Sequence, residues 1–383
     1  MIKLFKSFIF SLLIFISTNI YANDLCDLLL NEDFTINEVS VKDGYVVTIV
    51  SNIQKWKIYN QATLSEVTLS NNIYFPHKEL EVYIEQNHPN LVSDECWIND
   101  TDKIKKVLNK IKVIEPSIDV NREFENKYKS FSVYKVQDND NNDFFWMVDF
   151  DKSMRFEIVN TNEFLKFPFD KTNAYIDFEY IDLIQEDIVD GYEITFNDEY
   201  GENKKTQKEW NEFNINEGSG MYEFKLVDFQ IYDDPLVMQS GDKYANYLYH
   251  LQFKRNSGYY LLKVVLPVMF LVFLSFSVFW IRNHEIEAKL NVSIVCLLAL
   301  IAYNFAVNSD IPKINSLTVL DSFILISYLF SGLSTFVAIY SYYDYRRDNL
   351  SGDFNPVDKK LRKIAPITYI SSVAIVGFYI FIQ

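Results

Sequence analysis

Glu287, Asn291, Val295, Leu298, Ala302, Phe305 and Ser309 recur in steps of four and three. A helix carries residues so spaced on one face. The stretch 285–312 that holds them is long enough to cross a bilayer, which needs about 20 residues. Its stripe, however, runs from polar to apolar and back to polar. In a ring of identical copies Glu287 becomes a carboxylate collar and Asn291 an amide ring. Val295, Leu298, Ala302 and Phe305 become a dry gate. Charged rings select ions and apolar constrictions gate by losing their water. A buried helix in an ordinary membrane bundle, with polar ends at the interfaces, has the same periodicity, so the neighbouring segments decide between the two.

Those neighbours are apolar as well. Segments at about 259–281, 286–308, 317–342 and 364–382 predict four transmembrane helices. Arg282, and Lys289 at the start of the second segment, are read with the link between the first two segments. Arg346, Arg347, Lys359, Lys360, Arg362 and Lys363 fall between the last two. The middle link has Lys313 beside Asp310. Basic links stay in the cytoplasm, so the preceding domain and the C-terminus are both expected outside it. Residues 1–22 agree independently. Lys3 and Lys6, the apolar run 8–16 and the small Ala22 have the pattern of a secretory signal peptide.

Between them, residues 23–256 form the exported domain and 257–383 the membrane domain. Runs rich in Val, Ile, Tyr and Phe at 45–53, 64–75, 131–136, 144–150, 155–159, 174–178, 192–196, 221–229 and 244–253 alternate with Asn, Asp and Gly clusters. This predicts an all-β, immunoglobulin-like sandwich. Residues 101–111 read as a short helix capped by Thr101. The strand pattern fades over 80–110, and His77 and His88 read as solvated surface. An oxidising compartment permits a disulfide between Cys26 and Cys96. The exported half has no nucleophile motif, phosphate-binding glycine loop or paired metal ligands. The net charge of −16 disfavours nucleic acid. The fold class expected is thus an α+β membrane protein, with a β-sandwich ectodomain ahead of a four-helix bundle. No cofactor is expected, with calcium left open as a regulatory divalent ion.

The order of several short motifs resembles the bacterial branch of the pentameric ligand-gated ion channels, relatives of the Cys-loop receptors. Arg255-Asn256-Ser257-Gly258-Tyr259-Tyr260-Leu261 with Leu266-Pro267 is similar to the family's entry into its first transmembrane helix, and 275–280 to that helix's end. Ala302-Tyr303-Asn304-Phe305 followed by Ile311-Pro312-Lys313 resembles the pore helix and the loop after it. Thr318-Val319-Leu320-Asp321 resembles the start of the third helix. Phe167-Pro168-Phe169-Asp170 is similar to the signature loop. The family's animal cysteines would fall at Asn160 and Ala174. Ile114-Glu115-Pro116-Ser117-Ile118 with Asn121 resembles the first ligand-site segment, with Ile114 where Trp is usual. The likeness covers residues 45–382.

The resemblance implies a homopentamer in the bacterial inner membrane, with its ectodomain in the periplasm. Its pore would be lined by the second helix and pass monovalent cations through the Glu287 collar. Coupling would run from Phe167, Pro168, Phe169 and Asp170, with Arg255, to Pro312 and Lys313; the tip at 57–61 also reaches that junction. An Asp170–Arg255 ion pair is physically sensible there. The ligand site would lie between subunits under the flap 232–244. Glu179, Tyr180, Ile181, Tyr232 and Tyr244 would form a carboxylate and aromatic box for a small amine-like cation, held by charge and cation–π attraction. Proton or divalent-ion gating stays open. The competing reading is a membrane-anchored periplasmic sensor with little or no conduction. Its cytoplasmic piece at 344–363 would be too short to fold as an output domain.

Overall fold

The computed structural model describes residues 24–59, 63–137, 144–184, 188–190, 195–197, 204–219, 221–233, 235–238, 241–307, 317–347 and 355–382. The signal-peptide segment, Pro312 and Lys313 lie outside the described residues.

A strand-rich domain comes first. Its long strands are β1 (Val47–Ile58), β2 (Leu64–Pro76), β5 (Arg122–Gln137), β6 (Phe144–Asn162), β7 (Lys171–Ile184), β11 (Phe224–Asp233) and β13 (Lys243–Arg255). The shorter β3 (Glu95–Ile98), β4 (Ser117–Ile118), β8 (Ile188–Asp190) and β12 (Leu236–Val237) join the same 11-stranded sheet. β9 (Thr195–Asn197) and β10 (Lys204–Thr206) pair separately. The main path runs β11-β13-β7-β6-β2-β1-β8. β6 is the bridge. Its body pairs with β2 and β5, and its last residues, Asn160 to Asn162, pair with β7. The runs 144–150 and 155–159 are therefore one strand of 19 residues.

The sheet curls. Trp56 of β1 and Phe253 of β13, far apart along the path, meet with ring centroids 5.2 Å apart. Side chains alternate between the faces of a strand, so β1, β2, β6, β7 and β13 each send every second residue into this shared core. Beyond Ile49, the last residue of β1 that pairs with β8, α4 (Gln207–Phe213) and the turn after it cover the edge of β1. Asn211 accepts from the Ile53 amide at 2.7 Å and donates to the Ser51 carbonyl at 3.1 Å.

Residues 80–110 contain α2 (Lys78–Asn87), β3 and α3 (Thr101–Leu108), after α1 (Leu25–Asn31) at the start of the domain. The cap of α3 is Asp100 rather than Thr101: its carboxylate accepts from the Asp102 and Lys103 amides. The two histidines are buried rather than solvated. His77 caps α2 by accepting from the Leu80 amide, and its other ring nitrogen bonds the Lys112 carbonyl at 2.8 Å. Burial holds its pKa below the usual histidine value. His88 meets Glu32 at 2.9 Å. A disulfide joins Cys26 to Cys96.

Four helices long and apolar enough to cross a membrane follow: α5 (Gly258–Trp280), α6 (Ile286–Val307), α7 (Val319–Arg347) and α8 (Pro356–Ile382). The fourth begins well before residue 364, so Lys359, Lys360, Arg362 and Lys363 lie in the helix and not in a link. Lys289 likewise sits inside α6. Thr318 and Asp321 open α7 reciprocally: the Asp321 carboxylate accepts from the Thr318 amide at 3.0 Å, and the Thr318 hydroxyl accepts from the Asp321 amide at 3.1 Å.

Candidate functional site: a helix face and the junction above it

α6 has two unlike faces. Lys289, Ser293, Cys296 and Leu300 are buried against the rest of the chain. Glu287, Asn291 and Ala302 are exposed, together with Val295 at 62%, Leu298 at 59% and Phe305 at 75%. Burying a leucine or phenylalanine side chain is worth about 1.5–3 kcal/mol relative to leaving it in water. Packing among the described residues of one chain therefore leaves this apolar stretch exposed. Ser309, the last member of the stripe, lies outside the described residues.

Proline chemistry ties α6 to α5. Pro267 has no N–H and cannot donate to the carbonyl four residues back, which belongs to Lys263. The helix takes a wider π turn over Leu261–Val265, and the Tyr303 hydroxyl of α6 donates to that freed carbonyl. From the other side the Tyr328 hydroxyl donates to the Leu300 carbonyl at 3.3 Å.

The junction with the strand domain is built on Arg255, the last residue of β13. Its Nε donates to Asp170 Oδ1 at 2.7 Å and its Nη2 to Oδ2 at 3.1 Å. This two-point geometry suits a planar guanidinium. Both side chains are fully buried. Nη1 donates to Glu223, which also accepts from the Tyr260 hydroxyl at 3.0 Å. Phe224 and Phe167 flank the guanidinium, 4.4 and 4.9 Å from their ring centres. Burial opposes the charge on Arg255, but the hydrogen bond and charge of Asp170, with Glu223 beyond it, hold the guanidinium above its ordinary pKa. Nothing in the sequence signals this shared role: Glu223 lies within the strand run 221–229, and Tyr260 figures only in the motif at 255–261.

Phe167 and Pro168 are buried and Phe169 half-buried. Phe167 packs among the helices rather than in the sheet core, edge-on to Tyr260 at 4.8 Å. Its carbonyl accepts from the Leu320 amide at 3.3 Å, in the first turn of α7. The loop between β6 and β7 thus touches the entry to α5 and the start of α7 together. Its contact with Pro312 and Lys313 falls outside the described residues.

A second buried ion pair went unread in the sequence. Lys289 Nζ lies 2.6 Å from Asp358 and 3.1 Å from the Asn283 side-chain oxygen, and the Ser341 hydroxyl donates to Asp358 at 2.9 Å. This node joins α6, α7 and α8 at the end of the bundle remote from Arg255. A lysine four residues after Glu285 looks like a link cation until α7 and α8 are folded onto it.

The residues of the expected ligand box are only partly brought together. Glu179 is half-buried on the face of β7 away from the core and stands opposite Asn246. Tyr180, the next residue, points the other way. It is buried in the chain's own core, edge-on to Tyr247 at 6.3 Å. Successive strand residues face opposite sides, so Glu179 and Tyr180 do not line one box. Tyr232 is exposed and its hydroxyl donates to Gln230. Tyr244 sits half-buried where β13 pairs with β12. Ile181 lies in β7.

Residues 264–362 match the family model described as the neurotransmitter-gated ion-channel transmembrane region. The chain is also similar to the gamma-aminobutyric acid receptor subunit alpha-2 of Rattus norvegicus, Mus musculus and Homo sapiens. Each is 26% identical over 149 residues, 38% of this chain and 33% of the relative. The chain thus spans about a third of the length of the curated relatives it matches.

Proposed function

We propose, for a chain that these matches support as a low-identity member of the Cys-loop pentameric ligand-gated channel family, that it is a subunit of a homopentameric, ligand-gated, cation-conducting channel. The observation that carries this reading is the exposed stripe of α6 opposite a buried face. Five copies turned inward would stack a Glu287 collar, an Asn291 ring and an apolar gate from Val295 to Phe305 along one axis. The collar attracts cations and repels anions, and the gate closes by excluding water. Selectivity for cations rests on Glu287.

The ligand site is proposed between subunits at the outer edge of β7, β11 and β13. Glu179, Ile181, Tyr232 and Tyr244 offer a carboxylate and aromatic rings to a small amine-like cation. Tyr180 supports that site from the core. Movement there reaches the helices through the rigid Asp170–Arg255–Glu223 knot and Phe167. The strand domain and both termini are proposed on the periplasmic side of a bacterial inner membrane.

The test is current from the full-length protein in planar bilayers under an ion gradient, with amines, protons and calcium applied in turn. A ligand-evoked current reversing at the cation potential is expected. Glu287→Gln should move the reversal potential toward zero, and Leu298→Ser should raise open probability without ligand by wetting the gate. Unchanged reversal in the first variant removes the collar. A silent Leu298→Ser pentamer removes conduction itself and leaves the sensor reading.

A further inference from the structure

Just above the first membrane helix, three lysines stand in a row. Lys254 of β13 pairs directly with Lys225 of β11 on one side and with Lys171 of β7 on the other. Directly paired residues lie on the same face of a sheet. With strands about 4.8 Å apart, the row spans about 10 Å. Lys225 and Lys254 are exposed and Lys171 is half-buried. Like charges opposed across strands destabilise a sheet, and among the described residues no carboxylate is bonded to Lys225 or Lys254. Lys171 donates only to an amide, the Gln252 oxygen at 3.3 Å. The row is the more unusual because the chain as a whole carries −16. Among the described residues none of the nearby acids, Glu217, Glu223 or Asp228, is bonded to these lysines. Glu223 is committed to Arg255 and Tyr260, and Asp228 accepts from Gln230 at 2.7 Å.

Lys225, Lys254 and Arg255 line a cavity of about 560 Å³, together with Glu217 and Tyr222. Tyr222 is 91% exposed. Lys254 is four residues from Gly258, where α5 begins, so with α5 entering a membrane there the cavity would open at the height of the bilayer surface. An exposed tyrosine suits that height, and Lys263 over the Tyr259 ring at 4.4 Å adds a further cation there. Below it along the chain, Leu261, Leu262, Leu266 and Phe270 of α5 line an apolar groove of about 510 Å³.

We propose that Lys171, Lys254 and Lys225 bind the phosphate of an anionic phospholipid in the leaflet where α5 enters, with its acyl chains against the α5 groove. The anion relieves the like-charge row, and the negative membrane surface supplies it. The site rests only on α5 entering a membrane and not on conduction.

The test uses full-length protein in detergent, with phosphatidylglycerol added and retention read by native mass spectrometry beside the thermal midpoint. Phosphatidylcholine and soluble glycerol phosphate serve as comparisons at equal concentration. Phosphatidylglycerol should be retained and raise the midpoint. Its affinity should weaken about fivefold for each lysine neutralised by Lys→Gln. The triple Lys→Arg protein should bind as the parent does. Lys254→Gln alone, at an exposed site, serves if the triple Gln variant does not fold. Equal retention of phosphatidylglycerol by the parent and a folded Gln variant overturns the proposal. So does equal binding of glycerol phosphate, which would make this a soluble-anion site, or of phosphatidylcholine, which would make it indifferent to charge.

Discussion

Arg255 and Lys289 are both buried cations, set at opposite ends of the helical half, and they are held in different ways. Arg255 faces two carboxylates, Asp170 and Glu223, with Phe167, Phe224 and Tyr260 around it. Lys289 faces one carboxylate, Asp358, with Asn283 and Ser341 completing its shell. The first knot carries an excess of negative charge and joins the strand domain to α5. The second is neutral and joins helices only. In the second, Asp358 Oδ1 and the Asn283 side-chain nitrogen have no partner among the described residues. A planar guanidinium satisfies both oxygens of a carboxylate at once, whereas a lysine ammonium is a point charge that leaves one oxygen over.

That difference sets the order of expected effects. Asp170→Ala strands a fully buried guanidinium, and breaking a buried pair from one side costs about 3–5 kcal/mol. The measurement is the fraction of full-length protein recovered as a folded assembly, with its thermal midpoint. Glu223→Gln should cost far less, because its carboxylate is a third exposed. If the two variants lose equal stability, the knot does not centre on Asp170.

Lys289→Met should destabilise by about 3 kcal/mol by leaving Asp358 alone. Lys289→Met with Asp358→Leu should recover part of that loss, since removing both charges also removes both desolvation penalties. Additive losses in this cycle would mean that the two residues act separately. The same cycle at Arg255 and Asp170 should recover less, because Glu223 remains.

A half-buried acid has no cation bonded to it among the described residues, and its effect should be the smallest. Asp149 of β6 is opposed by Tyr74 and Ser132 on the neighbouring strands. Burial, and then the charge of Asp151, push its pKa from the ordinary 3.8 up to about 6. A raised carboxyl pKa means that the folded protein prefers the neutral acid. Its contribution is intact below about pH 4 and is lost as pH rises through 6. Asp149→Asn should therefore stabilise the protein at pH 7, by about 1 kcal/mol after discounting for partial exposure. The gain should vanish near pH 4. A gain that persists at low pH would assign the effect to packing and not to charge.

Much of the frame was legible because it is periodic. Alternation along 64–75 and 244–253 marks β2 and β13. Apolar runs mark α5 to α8, and steps of four and three mark the stripe of α6. The Asp170–Arg255 pair was legible only by resemblance, since 85 residues separate its partners. Periodicity decided that 23–256 would be strand-rich and 257–383 apolar helices, because burial of one face imposes a period on the residues that form it. Composition did not decide which polar groups are inside. His77 and His88 looked like solvated histidines, Lys289 looked like a link cation, and Tyr180 looked like a neighbour of Glu179. Burial is a property of what packs on a residue from elsewhere in the chain, and which face a strand residue takes depends on register. The lysine row exists for the same reason: residues 171, 225 and 254 become adjacent only when β7, β13 and β11 pair.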